Sequence, residues 1–265
     1  MPGVELKHGN FSWVDLVTND VQGSIAFYEA LFDWSHSVDL MPQGQYHMFH
    51  RNEEVLAGMV AMPPTADGQG FPPVWMSYIL VDDIDRATQR CAELGGVVLM
   101  PPRDVTDAGR MCMIQDPTGA SVGLWQARGF TGADLFNEPG AFTWNELITR
   151  NVDAACSFYG DLLGWEWNRM PLPDGSVYHV CMVGDRPNGG VMAMTEEWPP
   201  DTPSYWAVYF QVEDVDASHA RAVELGATSH VAPEEISVGR LSVVADPAGA
   251  IFSLFRPAAS AEEQT

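Results

Sequence analysis

The chain has 265 residues, 46% of them hydrophobic and only 18% charged, which allows a substantial buried core and excludes both a disordered chain and a mini-protein. Its formal charge of −23, with Lys7 as the single lysine, disfavours phosphate backbones as partners and attracts cations and cationic small molecules. Apolar runs are all cut short of the roughly 18 residues that a membrane span needs; the chain opens without a basic and apolar leader, and Cys91, Cys112, Cys156 and Cys181 have no motif spacing, so a cytoplasmic protein with reduced thiols is expected.

In chain order, residues 11–18 alternate apolar and polar side chains and predict a strand. Asp20 then stands at a helix N-cap, before Ile25, Tyr28 and Phe32 at helical spacing. Short strands are predicted at 46–50, 55–62 and 74–81, then a second helix over 84–94 that stops at Gly95 and Gly96. Three more strands follow at 96–100, 110–115 and 121–126, the last two joined by the turn Asp116-Pro117-Thr118-Gly119.

The same order then recurs. GNFSWVDLVTNDVQGSIAFYEALFDW from Gly9 matches GAFTWNELITRNVDAACSFYGDLLGW from Gly140, an offset of 131. Tyr46 and His47 return as Tyr178 and His179, Trp75 as Trp206, and DPTGASVGLW from Asp116 as DPAGAIFSLF from Asp246. Duplication predicts two domains, 8–128 and 140–257, joined by a Gly-, Asp- and Pro-bearing linker at 129–139 and followed by a flexible tail at 258–265. Such a chain is expected to be a monomer with an internal pseudo-dimer, or a homodimer.

The run from Trp13 through Asp20 to Trp34, the LVDDID and LGG stretches and the DPTG turn resemble the vicinal oxygen chelate superfamily of glyoxalases, bleomycin resistance proteins and extradiol dioxygenases. The resemblance covers residues 8 to 257 and is strongest to an actinobacterial subgroup of two-domain glyoxalase-like proteins, often described as hydroxylases. It implies an α+β fold of four βαβββ modules, with curved mixed sheets forming cups and helices outside. Function does not follow from this fold, which hosts lyases, dioxygenases, epimerases and drug-sequestering proteins.

Metal-binding members take a His, Gln or Glu from the first strand of each module and a Glu from the last. Carried onto this sequence, those places fall on Trp13, about Ala57, about Met76 and Gly123 in the first repeat, and on Trp144, about Gly189, about Ala207 and Ser253 in the second. These residues do not make a coordination sphere of converging N or O donors, so neither the family's metal nor any other cofactor is expected.

If Trp13 faces inward, strand alternation brings Asp15 to the same wall, and Trp144 brings Glu146. Trp125 falls two residues beyond Gly123 and Phe255 two beyond Ser253, so each cup would hold two aromatic rings around a small residue. Plain core packing explains such rings as well as a ligand slot does. An inward carboxylate needs a partner, either Arg110 or Arg240 as a salt bridge, or a substrate for which Asp15 or Glu146 serves as base. One member of each pair, Tyr46 or His47 and Tyr178 or His179, must also look inward, which makes His47 and His179 further catalytic candidates. Two readings follow: a glyoxalase/bleomycin-resistance-like protein that binds an aromatic or cationic small molecule, with no nucleic acid or membrane as partner, or a metal-independent hydroxylase, isomerase or lyase on a secondary metabolite. A metal-dependent enzyme with displaced ligands is the third.

Overall fold

Each helix starts where a short polar side chain can accept a backbone N–H. Asp20 accepts from Gly23 N at 2.9 Å and Asn151 from Ala154 N at 3.0 Å, while Asp83 and Asp214 do the same for Arg86 and Ala217. Gly95, at φ +85°, follows the second helix in a conformation that costs glycine little.

A computed structural model describes residues 5–41, 44–63 and 71–258; the tail expected from 258 lies, beyond that residue, outside the described residues. The first repeat runs β1 (Phe11–Thr18), α1 (Val21–Phe32), β2 (Ser35–Met41), β3 (Gly44–Arg51), β4 (Glu54–Ala61), β5 (Val74–Leu80), α2 (Ile84–Glu93), β6 (Val97–Val105), β7 (Gly109–Gln115) and β8 (Ser121–Ala127). The second repeats it as β9 (Phe142–Thr149), α3 (Val152–Leu163), β10 (Glu166–Pro171), β11 (Val177–Val183), β12 (Arg186–Ala193), β13 (Tyr205–Gln211), α4 (Val215–Glu224), β14 (Thr228–Ile236), β15 (Gly239–Ala245) and β16 (Ile251–Pro257). Strand order is β2-β3-β4-β1-β5-β8-β7-β6 in one sheet and β10-β11-β12-β9-β13-β16-β15-β14 in the other, so each repeat is two βαβββ modules in one mixed sheet.

Two strands per repeat depart from the pattern the sequence carries. β2 and β10 pair along their length with β3 and β11, yet six of the seven β2 residues are exposed, which leaves no apolar alternation to read. β6 continues through Pro101 and Pro102 to Val105 because register shifts between Val98 and Arg103 absorb the prolines at a sheet edge.

Contacts divide the chain into two compact units, and each draws on both repeats. One contains Met1–Trp13, Met76–Gly132 and Trp144–Ala207; the other contains Val14–Trp75, Ala133–Thr143 and Val208–Thr265. In the first, α2 packs on α3 and Phe11 lies 5.6 Å from Trp165 and 5.1 Å from Trp206. In the second, α1 packs on α4 around Tyr28, Phe32, Trp34, Phe49, Trp75, Phe210 and Phe252.

Each unit also holds one buried polar chain within its aromatic core. Trp75 Nε1 donates to Tyr28 Oη at 2.9 Å, and Tyr28 Oη donates to Asp246 Oδ2 at 2.9 Å. Trp206, Tyr159 and Asp116 repeat the arrangement at 3.0 and 3.0 Å. The other carboxylate oxygen of Asp246 collects the backbone N–H groups of Ala248, Gly249 and Ala250, so the turn needs this aspartate whatever lies above it. Burial holds the Asp246 carboxyl above its usual range and pushes the Tyr28 and Tyr159 hydroxyls well above theirs.

Candidate functional site

Strand pairing decides which side chains meet. In β1, Val14, Leu16 and Thr18 are fully buried, and Thr18 Oγ1 reaches Ser24 Oγ of α1 at 3.0 Å, so these residues face the helix. Trp13, Asp15 and Val17 therefore point to the opposite face. On β3, Tyr46 pairs with Val60 and His47 with Met59, while on β4 Val60 pairs with Val17 and Met59 with Leu16. Tyr46 thus shares the face of Asp15, and His47 shares the helix face. The result is a hydrogen bond of 2.6 Å from Tyr46 Oη to Asp15 Oδ1.

The second repeat builds the same dyad from Glu146 and Tyr178. Tyr178 Oη donates to Glu146 Oε1 at 2.7 Å and accepts from Trp144 Nε1 at 2.8 Å. Gly58 and Gly190 lie in register with Asp15 and Glu146, and a Cβ at either would run into the tyrosine hydroxyl. Glycine is thus a steric condition for both dyads. The carboxylates are 8% and 6% exposed, a burial that such a charge-assisted bond offsets in part. Arg110 and Arg240 are engaged elsewhere, with Asp85 and Asp216.

His47 and His179 lie apart from the carboxylates. His179 pairs with Val191, as Leu147 does from the other side, which puts it on the helix face. The His47 ring is 5.6 Å from that of His36, whose Nδ1 is 2.8 Å from Glu29 Oε1 of α1. Burial, then the neighbouring His36, hold the His47 imidazole below its usual value, and its Nδ1 is buried with no hydrogen-bond partner among the described residues. Burial likewise raises the Cys91 and Cys156 thiols to about 11, which suppresses thiolate chemistry near neutral pH.

The small residues of β8 and β16 sit beneath aromatic neighbours. Gly123 pairs with Tyr78, whose ring fills the space its missing Cβ leaves, and Ser253 pairs with Tyr209. Trp125 Nε1 donates to Phe130 O at 2.8 Å, and the Phe130 ring meets Trp13 edge-on at 5.0 Å. Phe255 lies 6.2 Å from Tyr209. Sequence reasoning missed Tyr78, Tyr209 and Phe130. The first two were signalled by their recurrence at the repeat offset on inward positions, whereas Phe130 lies in a segment without periodicity.

The positions where the superfamily carries metal ligands hold indole, methyl, thioether, hydroxyl or no side chain, and the residues in register with the carboxylates are glycines. Among the described residues no group of three or more His, Cys, Asp or Glu side chains could hold a metal ion. The donor set does not fit the metal.

Two family descriptions match the chain: Glyoxalase/Bleomycin resistance protein/Dioxygenase superfamily over residues 10–124 and Glyoxalase-like domain over 144–255. The chain is 44% identical to "Putative glyoxylase CFP32" of Mycobacterium bovis, over 96% of this chain and 97% of that protein. The chain belongs to this superfamily. The chain is also 35% identical to the Anthracycline biosynthesis protein DnrV of Streptomyces peucetius, over 92% of this chain and 91% of that one. The Mn(II)-bound glyoxalase from Novosphingobium aromaticivorans shares the glyoxalase fold at TM-score 0.64 and 14% identity, over 94% of this chain and 82% of that one. No helix among the described residues is long and apolar enough to cross a membrane.

Proposed function

We propose that this glyoxalase-superfamily protein works without the family's metal and binds an aromatic or cationic small molecule on the inner face of one or both repeats. The observation that carries the reading is the recurring dyad, Tyr46 on Asp15 and Tyr178 on Glu146, each two positions along its strand from a tryptophan and over a glycine that leaves it room. An indole face supplies stacking surface, and a carboxylate held by a tyrosine supplies a fixed negative charge for a polar or positive group. The net charge of −23 favours the approach of cations.

One finding favours turnover as a second reading, namely the identity to a protein named for anthracycline biosynthesis. On that reading Glu146 or Asp15 takes a proton from the bound metabolite, and its tyrosine, polarised in the second repeat by the Trp144 N–H, steadies the charge that moves. Isomerisation or elimination on a small aromatic metabolite is the matching reaction class.

A panel of planar aromatic compounds, titrated against the full chain by tryptophan fluorescence with product analysis on each, tests both. Binding without product supports sequestration, and product formation supports the enzyme. Saturating EDTA is expected to change neither binding nor the melting temperature, because the donor set does not fit a metal; a drop of several degrees on chelation would overturn the metal-independent reading.

A further inference from the structure

The two repeats differ in the residues that equivalent strands carry. In the first, Trp13 is 5% exposed and carries the Phe130 ring against it. In the second, Trp144 is only half-buried, and the residue equivalent to Phe130 is Ser260, outside the described residues. Met76 of β5, whose long side chain belongs on the inner face, is replaced by Ala207 in β13. Val74 is replaced by Tyr205 on β13, the strand beside β9 in the sheet; Trp206 is buried against Tyr159, so strand alternation turns Tyr205 and Ala207 to the opposite face, and burial, then the charge of Glu146, raise the Tyr205 hydroxyl to about 12. Tyr205 in turn lies 6.2 Å from the ring of Trp198, itself only half-buried, in the segment after β12.

On the strand that follows the dyad strand in the sheet, the second repeat therefore carries an aromatic ring and a small residue, Tyr205 and Ala207, where the first carries Val74 and Met76. Three partly exposed rings, Trp144, Tyr205 and Trp198, belong to the same compact unit as Glu146 and Tyr178. Stacking on such rings tolerates many planar ligands, and the carboxylate selects among them by charge.

Resting on the reading above, we infer that the ligand site is in the second repeat alone, that Tyr205 and Ala207 make it different from the first, and that it takes a planar aromatic cation. In the first repeat Trp13 is instead buried against the Phe130 ring.

The test uses two probes of one shape, 9-aminoacridine, a cation at neutral pH, and acridone, which is neutral, titrated calorimetrically into the full-length protein. One equivalent of 9-aminoacridine per chain is expected. Glu146→Gln should weaken it by about ten- to a hundredfold, the worth of a charge-assisted contact, while leaving acridone within about twofold. Ala207→Met, which imports the residue of the first repeat, should weaken both probes at an unchanged melting temperature; it carries the test if Glu146→Gln folds poorly. Two equal equivalents per chain, or wild-type affinity in both variants, would overturn the assignment to the second repeat while leaving aromatic binding intact. Failure of both probes to bind the wild type would overturn the binding reading itself, and this inference with it.

Discussion

Tyr28 is fully buried, and its hydroxyl is the middle of a three-member chain between Trp75 and Asp246. Tyr28→Phe keeps the ring packing against Phe32, Trp34 and Phe252 and removes one oxygen. The Trp75 N–H then loses its acceptor in an apolar interior, which costs about 1–3 kcal/mol. Asp246 loses one donor and keeps three backbone N–H groups on its other oxygen, a smaller loss of about 1 kcal/mol. Together the change is about 3 kcal/mol, or a fall of roughly 6–12 °C in melting temperature for a chain of this size. Calorimetry of the variant reads it directly. Tyr159→Phe should behave alike through Trp206 and Asp116, since the geometry is repeated. The cycle of Tyr28→Phe with Asp246→Asn should be non-additive, because the two groups touch. A melting temperature within about 2 °C of wild type, or a fully additive cycle, would refute the claim that this chain holds the unit together.

Gly190→Ala places a methyl group against Tyr178 Oη, so the dyad must open. A loss of about 1–3 kcal/mol in urea denaturation and a changed near-ultraviolet dichroism of Trp144 are expected; an unperturbed spectrum would show that glycine is not required there. Asp246 supplies a pH prediction. Burial raises its carboxyl above the ordinary 3.8, so the native state holds this proton more tightly than the unfolded chain. Its contribution to stability is therefore greatest at low pH and falls as pH rises from 3.8 through the native value. The stability of the wild type relative to Asp246→Asn should decline over that window, and a difference that grows with pH would contradict the assignment.

Much of the fold was legible in the sequence because it is written twice. A chance alternation in one strand means little, but Phe11–Thr18 and Phe142–Thr149 carry the same alternation before the same kind of N-cap. That repetition showed the two-module pattern of each repeat, placed Trp13 with Asp15 and Trp144 with Glu146 on one strand face, and showed which residue types stand at the family's ligand positions.

Tertiary structure decided what alternation leaves open. A period of two separates Tyr46 from His47 without saying which face is which; hydrogen-bonded register with β4 puts Tyr46 beside Asp15 and sends His47 under α1. β2 is held by pairing with β3 rather than by burial, so composition gave no sign of it. The bond between Tyr28 and Asp246 spans 218 positions, and Tyr205 and Glu146 come from separate strands that the sheet makes neighbours. Contacts of this kind come from packing between elements, whereas a sequence records directly only the preferences of neighbouring residues.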